Sequence, residues 1–418
     1  MNWLYNTAIR IFAGAAKLAA IKSHKVSQMV RGQQESFDHL SSIFNSEDRP
    51  IWIHAASLGE FEQGRTLIEQ IKAKYPQTKI LLTFFSPSGY EVRKNYDKVD
   101  AVAYLPFDTK ENVLKFIDIV KPSMAIFVKY EFWGNYLQEL SRRNIPVYII
   151  SAIFRPSQLF FKRYGGFMRE VLKCYKHLFV QDKESAVLLS SIGITNVTIA
   201  GDTRFDRVTQ IMSSPAHIPG IEKLRGGKGV DIIFGSSWHA DELHYTAWLN
   251  SHPEITFIIA PHEFNDHRLA LLKSSIKSGK VLFLSEYEKE FIKTGIAPDV
   301  RGLIIDSFGK LSTIYRYGKI AYIGGGFGAG IHNINEAAVY GMPIVFGPKY
   351  NKFKEAKDLI KAGGAFSVKS TQETSKVLTL LVSDSEAREK AAAVAKKYIK
   401  ENIGATDIIF RHIFGTCE

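Results

Sequence analysis

The sequence has few cysteines and no pattern typical of a metal site. Of its 418 residues only Cys174 and Cys417 are cysteines, and they lie far apart in the chain. This count excludes a disulfide scaffold, a zinc ribbon and an iron–sulfur site, and it is typical of the reducing cytoplasm. The chain contains no Asp-x-Asp motif and no histidine–carboxylate cluster with metal-ligand spacing, so we predict no metal ion.

Acidic residues are absent from residues 1–34, although this segment carries Arg10, Lys17, Lys22, Lys25 and Arg31. Residues 3–21 read WLYNTAIRIFAGAAKLAAI, in which the polar and basic positions fall near one helical stripe. A spanning helix needs about 20 mainly apolar residues, and each cation near the bilayer centre costs roughly 2.5–3.5 kcal/mol. Two cations also interrupt the apolar run that a signal peptide requires. The pattern favours an amphipathic helix lying on anionic lipid; the alternative is a helix packed on the globular body.

The whole chain is basic, with 54 Lys+Arg against 42 Asp+Glu and a net charge of +12. Such an excess indicates an anionic partner, which is nucleic acid, a membrane surface or a phosphorylated ligand. No nucleic-acid-binding motif is present, so we predict that nucleic acid is not a partner.

Short apolar runs alternate with amphipathic stretches through the rest of the chain, which predicts an α/β fold with parallel sheets. Residues 212–220, MSSPAHIPG, have the composition of a linker. We therefore expect a membrane-associated segment (1–35) and two Rossmann-like domains (36–212 and 213–418) that face a central cleft, with a last helix able to return to the first domain. The predicted strands are 51–56, 79–84, 101–104, 124–128, 147–151 and 177–180, then 231–234, 257–260, 302–305, 320–323 and 343–346.

Three strand ends of the first domain carry candidate site residues. Ser57, Gly59 and Glu60 follow the first strand, where Glu60 is either a cleft carboxylate or a first-turn acid that complements the helix dipole. Ser86 and Ser88 follow the second strand, where their hydroxyls bind a ligand or cap the helix. Lys129 and Glu131 stand beside aromatic residues after the fourth strand, a pattern of carbohydrate sites and equally of packed cores.

The second domain offers turns rich in small residues. Ser236 and Ser237 follow its first strand, and Ser307, Phe308 and Gly309 follow another; both turns place backbone amides at helix starts. Residues 324–330, GGGFGAG, precede a helix that we expect to begin near His332. Gly330, His332, Asn333 and Glu336 would then lie together at a phosphate- and ribose-binding loop; the alternative is a packed glycine turn.

Taken together, the chain resembles the 3-deoxy-D-manno-octulosonic acid (Kdo) transferases of lipid A biosynthesis. The resemblance spans nearly the whole sequence and rests on ordered blocks that include WIHAASLGE (52–60), LLTFFSPSGYE (81–91), KPSMAIFVKYEFWGN (121–135), AGDTRFDR (200–207), DSFGKL (306–311) and YIGGGFGAGIHNINEAAVYGMPIVFGP (322–348). It implies a GT-B fold, the donor CMP-Kdo with no other cofactor, lipid IVA as acceptor, and inversion at the anomeric carbon. It also implies attachment to the cytoplasmic face of the inner membrane.

The resemblance also implies residue roles. Glu60 would be the catalytic base, Glu131 would help to build the acceptor site, and Ser307, Phe308, Gly309, Asn333 and Glu336 would hold CMP. His262 stands within Pro261–Asp266, where the family commonly has Pro-Arg-His-Pro-Glu-Arg, so an arginine expected near the nucleotide is absent, and Arg268 and Lys349 are candidate replacements. Two alternatives remain: a GT-B-type sugar-nucleotide epimerase, which would not need the basic N-terminus, and a non-catalytic membrane-binding scaffold.

Overall fold

The computed structural model describes residues 2–45, 47–213, 218 and 220–415. Most of the predicted linker, and Cys417, lie outside the described residues. The chain divides into two compact units, one made of residues 1–207 and 403–418 and the other of residues 208–402.

The first unit contains a seven-stranded parallel sheet with the order β3-β2-β1-β4-β5-β6-β7. Its elements up to the unit boundary are α1 (Asn2–Ala19), α2 (His24–Ile43), β1 (Ile51–Ala55), α3 (Leu58–Lys74), β2 (Ile80–Phe84), α4 (Pro87–Arg93), β3 (Ala101–Tyr104), α5 (Lys110–Val120), β4 (Met124–Val128), α6 (Gly134–Arg142), β5 (Val147–Ala152), α7 (Gly166–Lys173), β6 (His177–Val180), α8 (Lys183–Ser190), β7 (Val197–Ile199) and α9 (Thr203–Ser213).

Both faces of this sheet are buried. Trp52 of β1 packs on one face against Phe116 and Tyr136, whereas Ile51 and Ile53 belong to the core on the opposite face. Because both faces are covered, the strands read as nearly continuous apolar runs.

The second unit contains another seven-stranded parallel sheet, with the order β10-β11-β9-β8-β12-β13-β14. Its elements are β8 (Val230–Ser237), α10 (His239–Ser251), β9 (Phe257–Pro261), α11 (Asp266–Ser275), β10 (Val281–Phe283), α12 (Leu284–Thr294), β11 (Gly302–Ile304), α13 (Leu311–Ile314), β12 (Gly318–Ile323), α14 (Asn335–Ala338), β13 (Ile344–Phe346), α15 (Lys354–Ala362), β14 (Ala365–Ser367), α16 (Thr371–Ser383) and α17 (Ser385–Asn402). The α/β prediction with parallel sheets is confirmed. Three strands, β7, β10 and β14, were not predicted.

The last helix, α18 (Ala405–Phe414), packs on the first unit. The Asp206 carboxylate accepts hydrogen bonds from the backbone N–H groups of Gly404 (2.6 Å) and Thr406 (2.7 Å). The Thr406 hydroxyl lies 2.9 Å from that of Thr66 in α3, and Phe410 stacks on Tyr75.

Helix α1 packs on the first unit along one side only. Ala13 and Ala16 are buried with Phe107, whereas Trp3, Ile11 and Leu18 are 74%, 67% and 70% exposed. None of the helices in the part of the chain that the structure describes is long and apolar enough to cross a membrane.

Candidate functional site

Glu60 lies in the first turn of α3, directly after the carboxyl end of β1. Its carboxylate accepts a hydrogen bond from the Ser57 hydroxyl, which makes no capping bond to the helix backbone. Gly59 is exposed between them. The Ser57 contact orients Glu60, and the carboxylate also complements the helix dipole. Glu60 is partly exposed, so a ligand can reach it.

The turn after β2 lies against the turn after β1. The Ser86 N–H donates to the Ala56 carbonyl over 2.8 Å, so the two serine-bearing turns adjoin. The Ser86 side chain caps α4 by accepting from the Ser88 N–H, and the two hydroxyls are 3.0 Å apart. The capping role is therefore observed, and a ligand role for these serines stays a prediction.

Glu131, after β4, is buried and held from two sides. His54 Nε2 lies 3.1 Å from Glu131 Oε2, which also accepts a hydrogen bond from the Trp133 indole N–H. Thr83 in turn contacts His54 Nδ1 through its hydroxyl, 2.9 Å away. A glutamate in this setting positions the loop around it. The sequence reasoning missed His54, whose partner lies 77 residues further along the chain.

A cluster of charged residues surrounds Tyr130, between Lys129 and Glu131. Burial raises the pKa of the Tyr130 hydroxyl, the charges of Asp202 and Glu60 raise it further, and Arg155 and Arg204 oppose them. Lys129 has a left-handed backbone (φ 75°), and its ammonium lies 5.4 Å from the Tyr130 ring centre. Tyr130, Arg155 and Arg204 therefore join Lys129 and Glu60 as candidate site residues, which sequence reasoning had not assigned.

Helix α1 contacts the loops that follow β2 and β4. The Phe12 ring lies 6.3 Å from that of Phe85, which packs 5.0 Å from Trp133. The Tyr5 hydroxyl donates to the Asp108 carboxylate and accepts from the Gly134 N–H over 2.9 Å. The N-terminal helix is thereby fixed beside the ends of β2 and β4.

In the second unit an aromatic cluster follows β8 and β9. Trp238 stacks on the exposed His262 with ring centres 4.3 Å apart, and its indole N–H donates to His332 Nε2 over 2.9 Å. Burial and the neighbouring His262 lower the pKa of His332 to about 4. Burial likewise lowers the pKa of His262. The His332 imidazole is therefore neutral at pH 7.

The glycine loop follows β12, but the helix after it begins at Asn335 and spans only four residues, so the expected start near His332 was wrong. Asn333 lies before the helix, where its Oδ1 accepts from the Asn335 N–H (3.1 Å) and its Nδ2 donates to Glu336 (3.1 Å). The local side-chain bond of Asn333 competes with helix formation. Gly330 has a left-handed φ of 135°, and Lys349 Nζ donates to the Gly328 carbonyl over 2.7 Å.

Two further turns of the second unit differ from what the sequence predicted. Ser307, Phe308 and Gly309 do not begin a helix, because α13 starts only at Leu311. The Phe308 ring is exposed and packs 4.2 Å from Phe264. Ser236 and Ser237 are the last two residues of β8 and not part of a turn after it; Ser236 has a left-handed φ of 50° and is partly exposed.

Ser237 is buried, with its hydroxyl 2.7 Å from that of Tyr245. Arg268 pairs with the buried Glu242 over 2.7 Å. Lys349 contacts the glycine loop itself, and the replacement of the missing arginine by Arg268 or Lys349 stays a prediction. Among the described residues no group of three or more metal-ligating side chains is found.

Comparison with known sequences gives a family model and relatives that carry the same description. Residues 31–207 match the family model described as 3-Deoxy-D-manno-octulosonic-acid transferase (kdotransferase). The chain is similar to the 3-deoxy-D-manno-octulosonic acid transferase of Aquifex aeolicus, with 27% identity over 84% of this chain and 92% of the relative. It is equally similar to that of Haemophilus influenzae, with 27% identity over 85% of this chain and 84% of the relative.

Comparison with solved structures supports the fold. A putative UDP-N-acetylglucosamine 2-epimerase from Listeria monocytogenes aligns with a TM-score of 0.59 and 13% identity, covering 88% of this chain and 98% of the other. Acinetobacter baumannii MurG aligns with a TM-score of 0.52 and 12% identity, covering 88% and 100%. At these identities the likeness is one of fold, which is of the GT-B type.

Proposed function

Because the chain belongs to the Kdo transferase family, a family of glycosyltransferases in lipopolysaccharide synthesis, we propose that it transfers Kdo from CMP-Kdo to lipid IVA, the lipid A precursor, with inversion. The observation that carries this proposal is the partly exposed Glu60 carboxylate, oriented by Ser57 within the segment that matches the family model.

Glu60 acts as the general base in this proposal. It takes the proton of an acceptor hydroxyl while the hydroxyl oxygen bonds to the anomeric carbon of Kdo. The bond from that carbon to the phosphate oxygen of the donor breaks, and CMP leaves with the electron pair. Because CMP leaves as a phosphate monoester, the step needs no second carboxylic acid to protonate an alkoxide, unlike the hydrolysis of a glycoside.

The acceptor is assigned to the first unit. Lipid IVA carries phosphate groups, and Lys129 and Arg155 are cations whose charges lie near Tyr130, whereas Arg204 there is paired with the buried Asp202 over 2.6 Å. Cationic side chains hold phosphate through charge-assisted hydrogen bonds. In this proposal Glu131 supports that surface indirectly, since it fixes the loop through His54 and Trp133.

The donor is assigned to the second unit. The glycine loop with Lys349 offers backbone amides and a cation, the Asn333–Glu336 pair offers polar side chains, and the exposed Phe308 offers an aromatic ring. These are the groups that a phosphate, a ribose and a pyrimidine ring require. No metal is assigned to the reaction, because cationic side chains and backbone amides can stabilise the departing phosphate.

The site of action is assigned to the cytoplasmic face of the inner membrane, with α1 as a peripheral attachment. Its exposed Trp3, Ile11 and Leu18 can insert among lipids, and the basic residues of the segment 1–34 favour anionic headgroups. Since α1 contacts Phe85 and the loop before α6, it would hold the acceptor loops close to the bilayer where lipid IVA resides.

The test is incubation of the purified protein with CMP-Kdo and lipid IVA, with the product analysed by mass spectrometry. We expect release of CMP and a lipid heavier by one or more Kdo residues, whose number the spectrum counts. An epimerase would change the sugar of a nucleotide without modifying the lipid. A scaffold would give neither product, and titration calorimetry would detect no binding of CMP.

A further inference from the structure

The first unit contains a cavity of about 220 Å³ between α1, α2 and the segment between β3 and α5. Its walls combine apolar residues, among them Ala13, Val30, Phe37 and Phe107, with the polar side chains of Gln33, Gln34, Thr109 and Asn112. It is separate from the strand-end loops that carry Glu60 and Glu131, since none of those residues lines it. A cavity of this size is large enough to hold a small molecular group.

Gln33 lines this cavity and carries an unpaired donor. The side chain is only 3% exposed, and its Oε1 accepts a hydrogen bond from the Phe107 N–H over 3.2 Å. That bond fixes the orientation of the amide, because only the oxygen can accept. The Nε2 group has no hydrogen-bond partner among the described residues, although it is fully buried. Leaving such a donor unpaired costs roughly 1–3 kcal/mol, so a bound acceptor would stabilise the fold.

Lys17 supplies a second donor, and it is charged. It lines the same cavity from α1 and is exposed, so its ammonium lies where the cavity meets solvent. None of the described residues that line the cavity is acidic. The cavity is therefore lined by a cation, by neutral polar side chains and by apolar residues, which together suit an anionic oxygen carried by an amphiphile.

We propose that this cavity binds the phosphate-bearing headgroup of an anionic glycerophospholipid. The inference rests on the proposed attachment of α1 to the membrane, because Leu18, the neighbour of Lys17, and Phe12, which packs on Phe107, belong to the exposed apolar side of the same helix. A lipid whose phosphate reaches Gln33 and Lys17 can keep its acyl chains beside these residues. Inorganic phosphate could satisfy the donors but would gain nothing from the apolar walls.

The test is titration calorimetry of the full chain with dihexanoyl phosphatidylglycerol below its micelle concentration. Gln33→Glu keeps an acceptor for the Phe107 N–H and removes the free donor, and Lys17→Gln removes the cation at an exposed position where folding is not at stake. We expect each change to weaken binding by about tenfold, the loss typical of a hydrogen bond to a charged group. Gln28→Glu and Lys25→Gln are matched controls on α2 that do not line the cavity, and they should bind as the unmodified chain does.

Two further ligands separate the sources of the signal. Dihexanoyl phosphatidylcholine, whose ammonium opposes Lys17, and inorganic phosphate should both bind at least about tenfold more weakly than phosphatidylglycerol, because each lacks either the net charge or the apolar part. The inference is overturned by equal binding of either ligand, by absence of phosphatidylglycerol binding, or by unchanged affinity in both cavity variants. Turnover of CMP-Kdo with lipid IVA in detergent is measured on the same preparation. Turnover without phosphatidylglycerol binding would refute only the proposed lipid binding in the cavity. Binding without turnover would refute only the proposed reaction.

Discussion

At the scale of single residues, Glu60 carries the proposed chemistry and gives the most direct prediction. Replacing Glu60 with Gln keeps the size of the side chain and an oxygen that can accept from Ser57, but removes the base. We expect kcat for Kdo transfer to fall by roughly 10²–10⁴-fold, the usual contribution of a positioned base, with the KM for CMP-Kdo little changed. The measurement is steady-state release of CMP.

The control for this variant addresses the helix dipole. Glu184 is an exposed first-turn acid of α8, so Glu184→Gln removes the same favourable dipole interaction away from the site. It should leave kcat unchanged. Near-normal turnover of Glu60→Gln would show that Glu60 is only a first-turn acid and that the base lies elsewhere.

The lowered pKa of His332 predicts that the stability of the second unit depends on pH. Its folded-state pKa of about 4 lies below the ordinary value of 6.5, so between these values the unfolded chain binds more protons. The stability that neutral His332 contributes is thus complete above about pH 6.5 and is lost as the pH falls towards 4. His332→Gln keeps an acceptor for the Trp238 N–H without titrating.

The measurement compares hydrogen exchange of peptides from the glycine loop in both proteins at the same pH. At pH 7 the two should be similarly protected, whereas at pH 5 the unmodified chain should exchange several-fold faster relative to His332→Gln. The exposed His267 in α11 provides the control His267→Gln. An unchanged ratio of exchange rates between pH 7 and 5 would mean that His332 does not govern this loop.

At the scale of elements, the hydrogen bonds of Tyr5 hold α1 against the rest of the first unit. Its hydroxyl donates to Asp108 and accepts from the Gly134 N–H, and burial raises the pKa of that Asp108 carboxyl to about 6. Tyr5→Phe removes both bonds and leaves two buried groups without this partner, at a cost of roughly 1–3 kcal/mol.

We expect this cost to appear as faster hydrogen exchange in α1, with little change in α3 of the same unit. Tyr164 is exposed in the loop before α7, so Tyr164→Phe provides a control that should leave the exchange of α1 unaltered. Equal protection of α1 in Tyr5→Phe and the unmodified chain would show that Ala13 and Ala16 alone secure the helix.

The elements also show how far the sequence predicts the fold. All eleven predicted strands exist, because strands covered on both faces read as apolar runs of four to six residues. The missed strands β7, β10 and β14 each have three residues and each lie at a sheet edge. A run of three residues is too short to show a period. The equally short β11 and β13, which were predicted, lie inside the sheet between two neighbours, whereas each missed strand pairs with one neighbour only.

The candidate site was predictable only in part, for a related reason. Ser57, Glu60 and the glycine loop follow strands directly, so their place at sheet ends can be read locally. The partners of Glu131 and Tyr130 come from distant parts of the chain and reach them only through the fold: His54 lies on β1, Arg155 in the loop after β5 and Arg204 in α9. The early start expected for α14 was wrong because Asn333 binds the backbone ahead of the helix.

At the scale of the whole molecule, the net charge of +12 and the exposed side of α1 should act together at a membrane. The double variant Ile11→Ser, Leu18→Ser removes two exposed apolar side chains without changing the charge. Since burying each contributes roughly 1.5–3 kcal/mol, partition onto vesicles of phosphatidylglycerol and phosphatidylcholine should fall by about 100-fold or more. Vesicle flotation measures this partition.

The matched control is Val187→Ser, Ile292→Ser, which changes two exposed apolar residues on other helices. This variant should partition as the unmodified chain does. Kdo transfer to lipid IVA dispersed in detergent should be preserved in both double variants, because neither touches the proposed site. Undiminished vesicle binding of Ile11→Ser, Leu18→Ser would show that these side chains do not insert into the bilayer, and would leave the basic surface alone to account for membrane binding.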